Sequence, residues 1–232
     1  MRLSLLCVCV NYADFLAYTL PINKNHFESI VIITDTKDKD THRVCDMMQV
    51  PYIKTDRFYE KGATFKKGAA INEGLKYLKD TSGWYLHMDA DILLTPDFKS
   101  KLTGMTLNPK GLYGADRWMI NTFEEARSTL SASIEGTPLP EHTFQVNRHI
   151  QAPNIGYTPI GYFQLWNPIG SGINIYPEKK GDASSDDVHF AYKWSRDNRH
   201  LLDLKVYHLD SSSNNQGVNW SGRTTKRFTW DS

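Results

Sequence analysis

The sequence has little of what marks disulfide-bonded or metal-cluster proteins. Only three of its 232 residues are cysteine (Cys7, Cys9 and Cys45), an odd number without the spacing of a metal site. Cys7 and Cys9 lie two residues apart in an apolar run, so in a strand they would share one face and pack as small hydrophobic side chains. This composition is typical of a reducing compartment, and we expect a cytoplasmic protein.

Long apolar runs and an excess of one charge are also missing. No stretch approaches the roughly 20 apolar residues of a membrane helix. The apolar run Leu3–Val10 is short, is interrupted by Ser4 and precedes no small-residue cleavage site, which favours a buried first strand over a signal peptide. The net charge is +1, so no overall field attracts nucleic acid or an acidic membrane, although a local basic face stays open.

What the sequence does contain is a regular alternation of strand and helix patterns. With 40% hydrophobic residues, it predicts a single domain, residues 1–232, with a substantial core. The predicted elements of the first half are strands at Leu3–Val10, Ser29–Thr36, 50–56 and 84–91, a short helix over Phe15–Tyr18 that Asp14 caps and Pro21 ends, and a helix at Gly68–Leu78. This order predicts an α/β fold with a mostly parallel sheet flanked by helices.

The second half has a different character. Thr122 and Glu125 form a capping box that predicts a helix start. Between Glu141 and Glu178 the only formally charged residue is Arg148, and glycine, proline, asparagine and aromatic residues predict ordered loops and short strands around a pocket. Residues 184–194 predict the start of a capped helix, and residues 201–210 predict a last strand.

Polar residues follow three of the predicted strands. Because ligands of such sheets bind beyond the carboxyl ends of the strands, we expect these residues to form one site. They are Asn11 and Tyr12, Asp35 and Thr36, and the pair Asp89 and Asp91.

The Asp-x-Asp pair suits a hard divalent cation, which prefers oxygen ligands. Residues one apart on a strand point to opposite faces, so a turn after Asp89 is needed to bring both carboxylates together. The alternative is a surface turn in which an aspartate caps the next element. The apolar sequence before Asp89 argues against that alternative, because an unpartnered buried carboxylate is costly.

Residues 66–98 resemble the donor-binding segment of glycosyltransferases with the GT-A fold (family 2-like). The matching residues are Gly68, Asn72 and Gly74 on the helix, then Asp89 to Asp91, then Pro96, Asp97 and Phe98. The first two predicted strands also look like the nucleotide-binding strands of this family. The resemblance covers roughly residues 3–100 and implies that this half binds a nucleotide sugar.

The resemblance implies a UDP- or GDP-sugar donor and a Mn²⁺ or Mg²⁺ ion that bridges its diphosphate. A cation held by Asp91 would stabilise the charge on the departing diphosphate. The implied donor contacts are Asp35 to the nucleobase, Asp89 to the ribose or a metal-bound water, Lys66 or Lys67 to the diphosphate, with Asn11, Tyr12 and Asn72 beside them. For the two lysines, a solvated helix edge is the alternative.

The resemblance also implies that residues 101–232 bind the acceptor and carry the catalytic base. In inverting members an acidic pair at a helix start takes the acceptor proton, which here gives Asp187 as the base and Asp186 as a supporting contact. The family has Glu before Asp, whereas this chain has Asp-Asp. The alternative is that both acids only complement a helix dipole. His208 resembles the third metal ligand of some members, or it is structural.

Two further segments are candidates for binding. Tyr162, Gln164 and Trp166 lie where the family places its acceptor-facing strand, with Phe163 and Leu165 alternating toward the core. The last segment interleaves basic with aromatic residues. It could close over the diphosphate, contact a phosphate backbone, or be a docked chain end. Its residues are Trp220, Arg223, Lys226, Arg227, Phe228 and Trp230.

These expectations lead to a metal-dependent, inverting glycosyltransferase. Its acceptor is a saccharide or glycoconjugate, or a hydroxylated base in DNA. One alternative is a haloacid-dehalogenase-like phosphatase, which also uses Asp-x-Asp after a parallel strand but usually has Thr or Val where this chain has Leu93. Another is a nucleotide-sugar or glycan-binding module without turnover. The sequence specifies neither the sugar, the nucleobase nor the oligomeric state.

Overall fold

The computed structural model describes residues 1–78, 82–145, 155–178, 183–210 and 221–230. In these residues the strands are β1 Leu3–Val8, β2 Ser29–Asp35, β3 Tyr52–Thr55, β4 Trp84–Asp89, β5 Ile92–Leu93, β6 Leu112–Met119, β7 Thr143–Gln145, β8 Phe163–Trp166 and β9 Arg199–His208. The helices are α1 Ala13–Asn23, α2 Lys39–Met48, α3 Lys67–Leu78, α4 Phe98–Gly104, α5 Phe123–Glu135, α6 Pro168–Ser171 and α7 Ala183–Ala191. Short 3-10 turns lie at Lys24–His26, Arg57–Gly62 and Arg196–Asn198.

One sheet contains strands from both halves of the chain, in the order β3-β2-β1-β4-β8-β6-β9-β5, with β7 beside β6. The first four are parallel, as the sequence predicts. The second half then adds β8 antiparallel to β4 and to β6, while β9 runs parallel to β6 and antiparallel to β5. The predicted α/β class is confirmed, and the carboxyl ends of β1, β2 and β4 lie at one edge.

Alternation along β1 separates the two faces of the sheet. Leu5, Cys7 and Cys9 belong to the core under α1 and α2, whereas Leu6 and Val8 belong to the core under α3. All three cysteines are free and buried. The prediction that Cys7 and Cys9 pack on one face as small hydrophobic residues is therefore confirmed.

The helix after β1 is longer than predicted. It runs through Pro21 to Asn23, so the prediction that Pro21 ends it is wrong. The fixed φ of proline is compatible with a helix, and tertiary bonds hold the end in place. The Asn23 side chain donates to the carbonyl of Ile92 and accepts from the amide of Leu94, at 2.7 and 2.9 Å.

Helix α2 forms in a polar stretch to which the sequence reading assigned no helix. Its cap is Asp38, whose carboxylate accepts from the amide of Thr41 at 3.1 Å. Thr41, Val44 and Cys45 form its buried face at helical spacing. The capping box at the start of α5 is confirmed, with Thr122 and Glu125 making both reciprocal bonds.

Within the described ranges, no helix has both the length and the apolar character that crossing a membrane requires.

Candidate functional site

The Asp-x-Asp pair lies on a turn at the end of β4. The strand ends at Asp89, residues 90 and 91 form the turn, and β5 begins at Ile92. The hydroxyl of Thr19 donates to the carbonyl of Ala90 at 2.7 Å, and the amide of Leu209 donates to the carbonyl of Asp91 at 2.9 Å. The predicted turn is therefore present, and α1 and the end of β9 hold it in place.

Lys67 is the buried cation of the site. It begins α3, and only 4% of its surface is exposed. Its Nζ donates to Asp89 Oδ1 at 2.7 Å and to the carbonyl of Gly161 at 3.3 Å, and it lies 3.6 Å from Asp187 Oδ2. Burial by itself lowers the pKa of Lys67, but Asp187 and Asp89 hold it above its usual value. Lys67 is therefore charged and links β4 to α7.

Asp187 lies opposite Asp89 across this lysine. Tyr176 donates its hydroxyl to Asp187 Oδ1 at 2.8 Å. A Cβ at Gly161 would lie 1.8 Å from Asp187 Oδ2, so this position accepts only glycine. Burial raises the pKa of Asp187 to about 6, although Lys67 acts in the opposite direction. A carboxylate with this pKa can accept a proton near neutral pH, which is the property a general base needs.

Asp186 has a different position from its neighbour. It is 1% exposed, and its Oδ2 accepts from the amide of Gly68 at 2.8 Å in the first turn of α3. A Cβ on Gly68 would lie 1.9 Å from the carbonyl of Pro177 and 2.9 Å from this carboxylate. Asp186 therefore complements the N-terminus of α3 and also lies in the first turn of its own helix α7. Its contact with an acceptor stays a prediction.

Asp91 and His208 form the other side of the site. His208 Nε2 lies 3.1 Å from Asp91 Oδ2, and Arg117 donates to His208 Nδ1 at 2.8 Å. Because Nδ1 accepts a hydrogen bond, Nε2 carries the proton and donates to Asp91. Burial acts to raise the pKa of Asp91, but His208 and Arg117 hold it below its usual value. Asp91 is thus ionised at neutral pH.

Asp210 is a third carboxylate near this pair, and the sequence reading missed it. It is buried two residues beyond β9. Its Oδ2 accepts from the hydroxyl of Thr225 at 2.5 Å. Burial, followed by the charge of Asp91, raises the pKa of Asp210. The same two carboxylates and burial raise the pKa of Tyr12. The signal that could have identified Asp210 is its place directly after a strand that ends in His208.

Two carboxylates and an imidazole are chemically suitable ligands for Mn²⁺ or Mg²⁺. Asp91 is ionised, and Asp89, two residues before it at the end of β4, has a third of its side-chain surface exposed. In the residues described, however, no three His, Cys, Asp or Glu side chains are arranged around one point. Asp89 is paired with Lys67 and Asp91 with His208. The donor set fits a hard divalent cation, and binding it would require exchange of these partners.

The predicted donor residues lie at the carboxyl edge of the sheet, with one departure. Asn11 is exposed, and Asp35 Oδ1 accepts from the amide of Lys37 at 2.7 Å. Asn72 instead faces the segment before α7. Its amide donates to the carbonyl of Tyr176 at 3.0 Å, and its oxygen accepts from the amide of the same residue at 2.7 Å. Asn72 thus fixes the segment that carries Tyr176, and direct donor contact for it stays a prediction.

The residues predicted to face the acceptor are buried. Gln164 donates to the carbonyls of Pro159 and Asp187, and its Oε1 shares the single hydroxyl proton of Tyr176 with Asp187 Oδ1, so Gln164 packs behind Asp187 as a supporting residue. The hydroxyl of Tyr162 donates to a carbonyl of β6, and Arg117 lies 4.3 Å above its ring. Trp166 is fully buried. Their direct contact with an acceptor stays a prediction, while the structure gives Gln164 and Tyr162 supporting positions.

The chain end is docked on α1. Arg223 pairs with Asp14, and the Phe228 ring stacks on Phe15 with centroids 5.1 Å apart. Arg227 pairs with Asp40 at 2.9 Å. The described part of this segment is thus docked on the fold, while its contact with a diphosphate or a phosphate backbone stays a prediction. Trp220 lies outside the described residues.

No family model and no curated protein matches the sequence. Solved structures do resemble it. Glucosyl-3-phosphoglycerate synthase from Mycobacterium tuberculosis with Mn²⁺, UDP-glucose and phosphoglyceric acid has a TM-score of 0.58 and 14% identity, over 89% of this chain and 71% of that chain. Its complex with Mn²⁺, UDP and glucosyl-3-phosphoglycerate gives 0.57 and 13%, over 89% and 71%. Its complex with Mn²⁺ and UDP-glucose gives 0.55 and 13%, over 92% and 73%.

The neighbours share with this chain a Rossmann-like sheet that helices flank on both faces. At these identities the likeness concerns the fold. Together with the strand order described above, it shows that the chain has the GT-A fold.

Proposed function

We propose that this protein transfers a sugar from a nucleoside diphosphate sugar to an acceptor hydroxyl, with Mn²⁺ or Mg²⁺ and with inversion. The observation that carries this proposal is the arrangement around Lys67. This buried lysine connects the Asp-x-Asp turn to Asp187, with Asp89 Oδ1 at 2.7 Å and Asp187 Oδ2 at 3.6 Å. Neighbours of the same fold form complexes with Mn²⁺ and UDP-glucose, which supports a UDP-sugar donor.

The residues of the chain divide the reaction between them. Asp187 accepts the acceptor proton, for which its pKa of about 6 is suited. Tyr176 and Gly161 fix the orientation of its carboxylate, because one donates to Oδ1 and the other leaves room only for the carboxylate. The charge of Lys67 favours the ionised form of Asp187 and lies where the negative charge of a diphosphate would approach.

Asp89, Asp91 and His208 are the residues that would hold the divalent cation. When bound, it supplies Lewis-acid stabilisation of the negative charge on the leaving diphosphate. At Asp89 the cation would replace Lys67 as the partner of the carboxylate, and Lys67 would then pair with Asp187 alone. Asn11, Tyr12 and Asp35 complete the donor side at the ends of β1 and β2.

Release of nucleoside diphosphate from a panel of nucleotide sugars, with MnCl₂ or MgCl₂, tests this function. We expect one UDP- or GDP-sugar to be turned over, slowly by hydrolysis when no acceptor is present. Release of inorganic phosphate from a generic phosphate ester would instead support the phosphatase, which the fold does not favour. Tight donor binding without any turnover would support the non-catalytic module.

A saccharide or glycoconjugate is the acceptor that we propose. A hydroxylated base in DNA receives less support from the basic chain end, because Arg223 and Arg227 are paired with Asp14 and Asp40. A DNA acceptor predicts binding that weakens steeply with salt. A response to salt that is flat would exclude it.

A further inference from the structure

The loop between β1 and α1 has an unusual backbone conformation. Asn11 has a φ of 62°, and among the described residues Gln49 is the other non-glycine residue with positive φ. Gln49 is the left-handed C-cap of α2, where such a conformation is common. Asn11 instead lies before the first turn of α1; asparagine adopts this conformation more readily than most non-glycine residues, and side-chain contacts stabilise it here.

Two charged side chains from distant parts of the chain fix the backbone of Asn11. Its amide donates to Asp38 Oδ2 at 2.7 Å, and its carbonyl accepts from an N–H of Arg223 at 2.7 Å. Both are charge-assisted hydrogen bonds, which are stronger than bonds between neutral groups. Asp38 is itself fixed, because the hydroxyl of Thr41 donates to the same Oδ2 at 2.7 Å.

Arg223 is equally well fixed. Its side chain is 4% exposed and forms two hydrogen bonds with Asp14. It also donates to the carbonyl of Lys226 at 2.7 Å, and its guanidinium lies 4.4 Å above the ring of Tyr12. One buried guanidinium therefore contacts the last two residues of the loop, at the carbonyl of Asn11 and the ring of Tyr12.

The loop between β1 and α1 lies at the carboxyl edge of the sheet, next to the Asp89–Asp91 turn. Val8, at the end of β1, is paired in register with Asp89. The side chain of Asn11 is exposed, whereas its peptide groups are occupied.

We propose that Arg223, together with Asp38, is a positioning residue that preorganises the loop Asn11–Tyr12 for the donor nucleotide. This inference rests on the proposed function. It makes Arg223 part of donor binding without any direct contact to the donor, and such preorganisation acts on affinity.

Titration calorimetry with UDP and MnCl₂ tests the proposal. For Arg223→Ala we expect a Kd about tenfold higher than wild type and a matching rise in donor KM. We expect kcat at saturating donor to stay within about threefold, because the residue acts on ground-state binding. Arg223→Lys keeps the charge but loses the planar guanidinium with its several donors, so its Kd should lie between those of wild type and Arg223→Ala. Arg227→Ala is the matched control, because it removes an exposed positive charge of the same segment and should leave Kd unchanged.

A merely structural role would lower the melting temperature and leave the Kd unaltered, and that result would overturn the proposal. Should Arg223→Ala fail to fold, Asp14→Asn decides. It leaves the arginine in place but weakens its anchor, so it should raise the Kd in the same direction. An unchanged Kd there would equally overturn the proposal. If wild type itself binds neither UDP nor a nucleotide sugar, the proposed function fails instead.

Discussion

The two carboxylates of the Asp89–Asp91 turn have partners of different kinds. On one side, which we call the lysine side, the permanent charge of Lys67 lies between Asp89 and Asp187. On the other, the histidine side, Asp91 accepts a hydrogen bond from His208 Nε2, and Arg117 donates to the other ring nitrogen of His208. Asp89 ends β4 and Asp91 lies in the turn that follows, so the difference comes from the elements packed against each of them.

The pKa shifts of the two sides run in opposite directions. Burial raises the pKa of Asp187 on the lysine side to about 6, whereas His208 and Arg117 keep that of Asp91 low despite burial. Pairs of acids whose environments separate their pKa values indicate a division of roles. The lysine side is suited to proton transfer, and the histidine side keeps a carboxylate ionised for a cation.

The largest effect is expected for Asp187→Asn, which removes the proposed base on the lysine side. General base catalysis contributes about 10²- to 10⁴-fold, so we expect kcat to fall by about 10³-fold. Wild-type activity should fall below a pH of about 6, where Asp187 becomes protonated. This acid limb should be absent in the variant. The exposed Asp203 gives the control Asp203→Asn, which should keep both the rate and the pH profile. A variant with the wild-type rate would remove Asp187 as the base.

The next effect concerns stability. Lys67→Met leaves two carboxylates without their buried cation, and we expect the free energy of unfolding to fall by about 3 kcal/mol in urea titrations. Lys76→Met, which removes an exposed lysine of the same helix, should cost less than about 1 kcal/mol. Adding Asp187→Asn to Lys67→Met should recover part of the loss. Additive losses in the double variant would argue against the pairing of Lys67 with Asp187.

Gly68→Ala tests the junction of α3 with the segment before α7. The added Cβ would lie 1.9 Å from the carbonyl of Pro177 and would force the two segments apart. We therefore expect the free energy of unfolding to fall by about 2 kcal/mol. Gly104→Ala is the control, because a Cβ at Gly104 meets nothing within 4 Å. Equal stabilities of the two variants would show that the junction is loose.

The smallest effect is the pH dependence of stability. The folded pKa of Asp187, about 6, lies above the unfolded value of roughly 3.9, so the folded state binds this proton more tightly. The stabilisation of the folded state by this proton is complete below pH 4 and is lost as the pH rises through 6. The free energy of unfolding of Asp187→Asn, measured relative to that of wild type, should therefore rise by about 1–2 kcal/mol between pH 4 and pH 7. Parallel stability profiles would contradict the raised pKa.

The sequence predicts the parallel half of the fold and the Asp-x-Asp turn, because these depend on local patterns. The β-branched run of β2 and the apolar approach to Asp89 specify strands by themselves. Helix α2 was missed because its face is narrow and its cap, Asp38, lies in a run of charges.

Pairing over long distances could not be read from the sequence. Asn72 contacts Tyr176 at a separation of 104 residues, and Arg223 contacts Asp14 at 209. The period-2 pattern of β8 is also insufficient to show which face is buried, because both faces of this strand are covered. Gln164 is consequently in the interior behind Asp187.

The most direct test of the central claim is UDP binding measured by calorimetry with and without MnCl₂, on wild type and on Asp91→Asn. We expect wild type to bind UDP at least tenfold more tightly with Mn²⁺, and the variant to lose this dependence while keeping its melting temperature within a few degrees. Equal affinity of wild type for UDP with and without the metal would contradict a cation site at the Asp89–Asp91 turn.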